Sequence, residues 1–181
     1  MSAGMDIGPV RSERELEQIL ALQQRNLPRN VDPLAIADQG FVTVEHTLPI
    51  LGRMHELEPS IVARDGPALA GYALVMPVEC RSFVPVLEPM FQRLEGLRRR
   101  FYVMGQICID APWRGRGLFD GLYQAHREHL RDRYELVVTE VSVRNPRSLR
   151  AHLRVGFREI ERYRDLTDQW VLLGWDWSPR A

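Results

Sequence analysis

Between residues 12 and 25 the apolar positions fall at Leu16, Ile19, Leu20 and Leu22, the three- and four-residue steps of one helical face. Ser12 precedes that run and Glu15 follows it by three, which predicts a capping-box start. Leu27-Pro28 closes the helix and opens a polar loop, after which Phe41 to Glu45 reads as extended and Pro49 to Leu57 as a second short helix. Ser60 to Arg64 and Leu69 to Met76 have the length and composition of strands, and Asp65-Gly66 between them predicts a hairpin whose turn is lengthened by Pro67. The pattern then breaks. Pro77, Pro85 and Pro89 bracket one helical stretch, Met90 to Leu97, and Arg98-Arg99-Arg100 follows as a charge run expected to be solvated.

Strand character returns from Phe101 to Asp110, rich in aromatic and branched residues. The next helix carries Leu118, Phe119, Leu122, Tyr123, Ala125 and Leu130 on its apolar side and Arg127, Glu128, Arg131 and Asp132 outside. His126 and His129 lack partners of metal-ligand type and are expected at the surface or its boundary. Leu136 to Val143 is a long strand; Asn145 then supplies an N-cap and Pro146 a first helical position for a helix to Val155, stopped by Gly156. Phe157 to Tyr163 and Gln169 to Trp177 form a last strand pair around Asp165 to Asp168. Strands dominate early and alternate with helices later, so residues 1–181 read as one mixed α/β domain, with 77–100 as an inserted segment.

Composition narrows the partners. The 181 residues suffice for one sizeable core, and 24 basic residues balance 24 acidic ones, so no global field draws the chain to nucleic acid or an anionic membrane. Residues 1–6 lack a basic segment followed by an apolar core, and no apolar run reaches membrane-spanning length. Cys80 and Cys108 fit neither a disulfide framework nor a zinc cluster, and the expected setting is a reducing cytoplasm. Cys108, within an apolar strand, is expected to be a small buried residue rather than a nucleophile.

The stretch Trp113-Arg114-Gly115-Arg116-Gly117-Leu118-Phe119 carries the clearest chemistry. A glycine-bearing turn follows the strand Ile107-Cys108-Ile109 and opens a helix, an anion-binding layout: the first helical turn leaves N–H groups unpaired at the positive end of the macrodipole. Gly115 and Gly117 remove the Cβ atoms that would keep an anion away, and Arg114 and Arg116 add charge and donors; an ordinary basic turn is the plain alternative. Leu118-Phe119 stands where a Walker loop needs lysine and a hydroxyl residue, and Asp120 stands where a dinucleotide fingerprint needs its third glycine.

From Ile107 to Phe157 the order strand, R-G-x-G turn, helix, strand, then N-P-x-S-x-x-x-H-x-x-x-G-F resembles the GNAT superfamily of acyl-CoA N-acetyltransferases. The resemblance implies a central, mostly antiparallel sheet of six to seven strands, splayed at its middle and flanked by helices. It implies acetyl-CoA or a related acyl-CoA as donor, no metal, and direct attack by an amine in a ternary complex. Arg114, Gly115, Arg116, Gly117, Leu118 and Phe119 would bind the CoA pyrophosphate, with Ile107, Cys108 and Ile109 presenting backbone to the pantetheine arm. Asn145, with Ser148 beside it, would steady the pantetheine; a helix N-cap is the coexisting alternative for Asn145. Two departures stand out: Phe119 where the family usually has glycine or alanine, and His152 where it commonly carries a tyrosine acid.

Thioester aminolysis needs a neutral amine, a stabilised oxyanion and a released thiolate. His152 could serve as the acid, or be packed at a helix–strand seam on a backbone carbonyl. Glu140 is the first candidate base, directly or through water, with Asp110 and Glu45 behind it; an interior strand glutamate can also be a satisfied ion-pair partner or face solvent. Arg147, Arg150 and Arg154 could meet the adenosine 3′-phosphate, or simply be solvated. The acceptor is expected to be an amine-bearing small molecule or peptide chosen by residues 26–48, 77–100 and 164–168, with 77–100 bordering either the acceptor cleft or a homodimer interface. A non-catalytic acyl-CoA sensor or interaction module on the same fold is the alternative function.

Overall fold

A computed structural model describes residues 4–32 and 41–178. Seven strands form one sheet: β1 (Asp6–Pro9), β2 (Ile61–Asp65), β3 (Ala68–Met76), β4 (Phe101–Ile109), β5 (Leu136–Ser142), β6 (Arg158–Arg164) and β7 (Gln169–Asp176), in the spatial order β1-β2-β3-β4-β5-β7-β6. Every neighbouring pair is antiparallel except β4 with β5. The described α-helices are α1 (Glu13–Asn26), α2 (Leu48–Leu57), α3 (Glu88–Arg93), α4 (Leu118–Leu130) and α5 (Pro146–Val155).

Strand alternation sends side chains into two cores, one on each face of the sheet. On β3, Tyr72, Leu74 and Met76 join α1, α2 and α3 residues such as Ile19, Met54 and Phe91, whereas Ala73 and Val75 join Leu122, Tyr123 and Ala125 of α4. Residues 77–100 belong to the first of these cores. They form two 3-10 turns, Val78–Ser82 and Pro85–Leu87, and then α3, burying Cys80, Leu87 and Met90.

The central pair opens like a fork. Parallel pairing of β4 with β5 covers only Phe101–Val103 against Leu136–Val138. Just past it, two residues of β4, Gly105 and Gln106, oppose one of β3, Leu74, between the Val75–Met104 and Ala73–Ile107 pairs, a bulge that bends β4 away. Gly105 sits in that bulge because a Cβ there would lie 1.9 Å from Met76 Sδ. Thr139 ties the crotch by donating to Met104 O (2.9 Å).

Several sequence expectations change. Phe41 to Glu45 forms no strand, while β1, unread in the sequence, pairs along β2. The Ser12 side chain makes no cap; Glu15 instead accepts from the Arg11 N–H (2.6 Å) and pairs with Arg64. The helix expected at Met90–Leu97 begins at Glu88 and ends at Arg93. His126 is fully buried rather than at the surface: its Nε2–H donates to Ala73 O (3.2 Å) at the bulge and its Nδ1 accepts from the Tyr102 hydroxyl (2.8 Å). Arg98 and Arg100 are exposed as expected, Arg100 pairing with Glu135 (3.2 Å), whereas half-buried Arg99 grips Asp176 (2.7 Å); the two pairs brace the closed end of the fork. Among the described residues, no helix is long and apolar enough to cross a membrane.

Candidate active site

The turn after β4 is built from backbone and held from behind. Asp110 accepts from the Ala111 N–H (2.8 Å) and pairs with Arg25 of α1 (2.8 Å). Trp113 Nε1 donates to Asp65 on the β2–β3 hairpin (2.9 Å), and the Arg114 guanidinium donates to Ile109 O (3.0 Å) and to Asn26 Oδ1 at the end of α1 (2.7 Å). Arg114 therefore acts as a strut between α1 and the turn. Gly115 and Gly117 have φ of +73° and +76°, a region costly for side chains, and each faces open space. Gly117 caps α4, whose first internal bond runs from Gly121 N–H to Gly117 O (3.0 Å), so the N–H groups of Leu118, Phe119 and Asp120 precede the helical ladder. Arg116 is exposed. The Phe119 ring packs against Tyr123 and edge-on to His152, with centroids 5.2 and 5.0 Å away.

A cavity of about 360 Å³ runs from this turn along the open edge of β4 to α5. Ile107, Cys108 and Ile109 line one side, Asn145, Ser148 and the stems of Arg147, Arg150 and Arg154 the other, and Asn26, Phe41 and Val42 the rest. Asn145 does cap α5, its Oδ1 accepting from the Ser148 N–H (3.1 Å). Arg154 pairs with Asp120 (2.8 Å). A second chamber of about 70 Å³ lies at the floor of the fork; it shares Ile107, Asn145 and Ser148 with the first and adds Glu140 and His152.

His152 is buried, and Nδ1 lies 2.8 Å from Ser148 O, which fixes the proton on that nitrogen; Nε2 has no hydrogen-bond partner. Burial holds its pKa down, at about 4. Glu140 behaves oppositely. Burial pushes its carboxyl up to about 7, against the pull of a hydrogen bond donated by the Tyr163 hydroxyl and of the Arg93 charge. Asp110 and Glu45, the other acids expected here, are engaged in ion pairs with Arg25 and Arg29 and line neither chamber.

Asn26, Phe41 and Val42, which the sequence placed only within the acceptor-choosing range 26–48, line the first cavity from across the fold, and sequence reasoning missed Tyr163, which reaches Glu140 from β6. It also missed Gln106, which accepts from the Tyr72 hydroxyl (2.5 Å) and donates to Val44 O (2.7 Å) at the chamber wall. A lone glutamine inside an otherwise apolar strand was the available signal. No group of three or more His, Cys, Asp or Glu among the described residues is arranged to hold a metal.

Comparison with known proteins agrees with this geometry. The family model described as the acetyltransferase (GNAT) family matches residues 21–157. A comparison with curated proteins gives no significant match. Among solved structures, the chain is similar to yncA of Salmonella typhimurium, solved with its cofactor acetyl-CoA (TM-score 0.68, 16% identity, covering 99% of this chain and 97% of that one). It is also similar to a polyamine N-acetyltransferase of Drosophila melanogaster (0.68, 15%, 94% and 98%) and to a ribosomal-protein-alanine N-acetyltransferase of Brucella melitensis (0.63, 18%, 94% and 99%).

Proposed function

The chain belongs to the acetyltransferase (GNAT) family, and on that premise we propose that it transfers the acetyl group of acetyl-CoA to the amine of a small molecule or peptide by direct attack in a ternary complex. The observation that carries this reading is the adjacency of two cavities with shared walls: one lies at a helix N-terminus suited to a pyrophosphate, and the other holds a carboxyl poised near neutrality. Acetyl-CoA would supply the activated thioester. In this reading Gly115, Arg116, Gly117, Leu118 and Phe119 offer N–H groups to the pyrophosphate, while Arg114 holds the turn in place. Backbone groups that β4 and β5 leave unpaired beyond Val103 and Val138 are available to the pantetheine amides and the thioester oxygen, with Asn145 and Ser148 alongside.

Glu140 takes the ammonium proton of the acceptor, since a carboxyl with a pKa of about 7 is substantially ionised at neutral pH and still a competent base. His152 takes the acid role in the form that burial permits: Nδ1–H stays on Ser148 O, while Nε2 takes the second amine proton released as the C–N bond forms and passes it to the thiolate as the C–S bond breaks. A thiol of pKa about 8.5 asks little of that acid.

Calorimetric titration with acetyl-CoA, followed by a thiol-release screen over amines and N-terminal peptides, tests the proposal. Binding and release with at least one acceptor is the expected result. Binding without release on any amine would turn the reading to an acyl-CoA-binding module, and absence of binding would overturn it.

A further inference from the structure

Tyr163 and Arg93 form a stack behind Glu140 that the reaction outlined above does not use. Tyr163 lies on β6, one strand beyond β7, which itself pairs with β5 at Glu140–Leu172. Its side chain is buried, and its hydroxyl donates to Glu140 Oε2 across that intervening strand. The outer face of its ring carries the Arg93 guanidinium, 3.9 Å from the centroid, and Arg93 is anchored by Glu161 of β6 (3.4 Å). Arg93 is the last residue of α3, in the segment inserted between β3 and β4.

We propose that Tyr163 is a positioning residue for the acceptor-side base: it holds one carboxylate oxygen of Glu140 and, through Arg93, ties that oxygen to the inserted segment 77–100. This rests on the assignment of Glu140 as the base. The hydroxyl can donate only one proton to Glu140, and it stabilises the ionised carboxylate most, because a charged acceptor strengthens the bond. The second carboxylate oxygen is left for the amine. The charged and titratable groups around Glu140 act in both directions: Tyr163 and Arg93 favour its ionised form, Asp165 at the β6–β7 turn opposes it, and His152 on α5 lines the same chamber in neutral form. Without the Tyr163 hydroxyl, burial and Asp165 act on Glu140 with only the Arg93 charge against them.

Y163F removes the hydroxyl and leaves the ring beneath Arg93. Carbon-13 NMR of Glu-labelled protein, with E140Q to assign the resonance, reads the carboxyl directly and needs no acceptor. The expected result is a midpoint raised by about one pH unit in Y163F and by less in R93M, since Arg93 acts from behind the ring. With whichever panel amine turns over fastest, kcat of Y163F should fall about fivefold at pH 7 and recover by pH 9, with acetyl-CoA affinity unchanged. A midpoint that does not move, or a loss of kcat equal at every pH, overturns the proposal. Wild-type turnover in E140Q overturns instead the assignment of the base on which it rests.

Discussion

The two ends of the cleft are built on different principles. At the end proposed for the cofactor, Gly115, Gly117 and the first turn of α4 present contiguous backbone, and side chains such as Arg114 and Trp113 hold that backbone still. At the end proposed for the acceptor, the groups brought together are side chains drawn from β4, β5, β6, α3 and α5, which meet only because the sheet has opened. The first arrangement tolerates variety around it, since backbone N–H groups are the same in every sequence. The second can be retuned one residue at a time.

Changes at one end should leave the other alone. The largest effect is expected from E140Q: kcat lower by at least about 100-fold in the thiol-release assay, with calorimetric affinity for acetyl-CoA unaltered. The same variant should reverse a stability cost. Folded Glu140 holds its proton up to about pH 7, whereas the unfolded chain releases it near about pH 4.3, so wild-type stability falls as pH rises through that window and stays lower above it. Urea denaturation should find E140Q more stable than wild type at pH 8 by on the order of 1–3 kcal/mol, with the difference vanishing near pH 4. The buried His46, His126 and His152, held down at about 4, 3 and 4, act with the opposite sign: the unfolded chain protonates them first, so both proteins should lose stability as pH falls below about 6.5.

At the other end, Gly117→Glu places a charge and a strained φ at the turn, and should weaken acetyl-CoA binding by about tenfold or more while leaving the Glu140 midpoint in place. Gly117→Ala, which carries the strain alone, should lose less and so separates the two causes. Equal losses in the two variants would mean that no anion sits at this turn. The smallest effect is expected from Asn145→Ala, which removes the α5 cap and should cost about 1 kcal/mol in urea denaturation with acetyl-CoA affinity within about threefold of wild type. A larger loss of affinity would place the Asn145 amide on the cofactor rather than only on the helix.

Legibility in the sequence follows the same division. The R-G-R-G turn, the strand before it and the Asn145–Gly156 helix were readable because capping, left-handed glycines and helical spacing are properties of neighbouring residues. Glu140 was readable as a candidate only, and neither Tyr163 nor Arg93 was. His126 was misplaced at the surface for a related reason: its partners, Tyr102 and the Ala73 carbonyl freed by a bulge, lie on two strands that the helix covers. The capping box failed because Glu15 found Arg64, a partner 49 positions away.

The amino-acid sequence by itself determined the elements that local forces decide: where helices start and stop, which residues face a core, and the glycine turn that opens α4. Only the tertiary structure decided where the sheet opens, because the fork arises from a bulge whose register depends on β3, Met76 and His126 together. It alone also decided the protonation behaviour of Glu140 and His152, since burial and distant partners set a carboxyl or an imidazole in ways that no run of adjacent residues encodes.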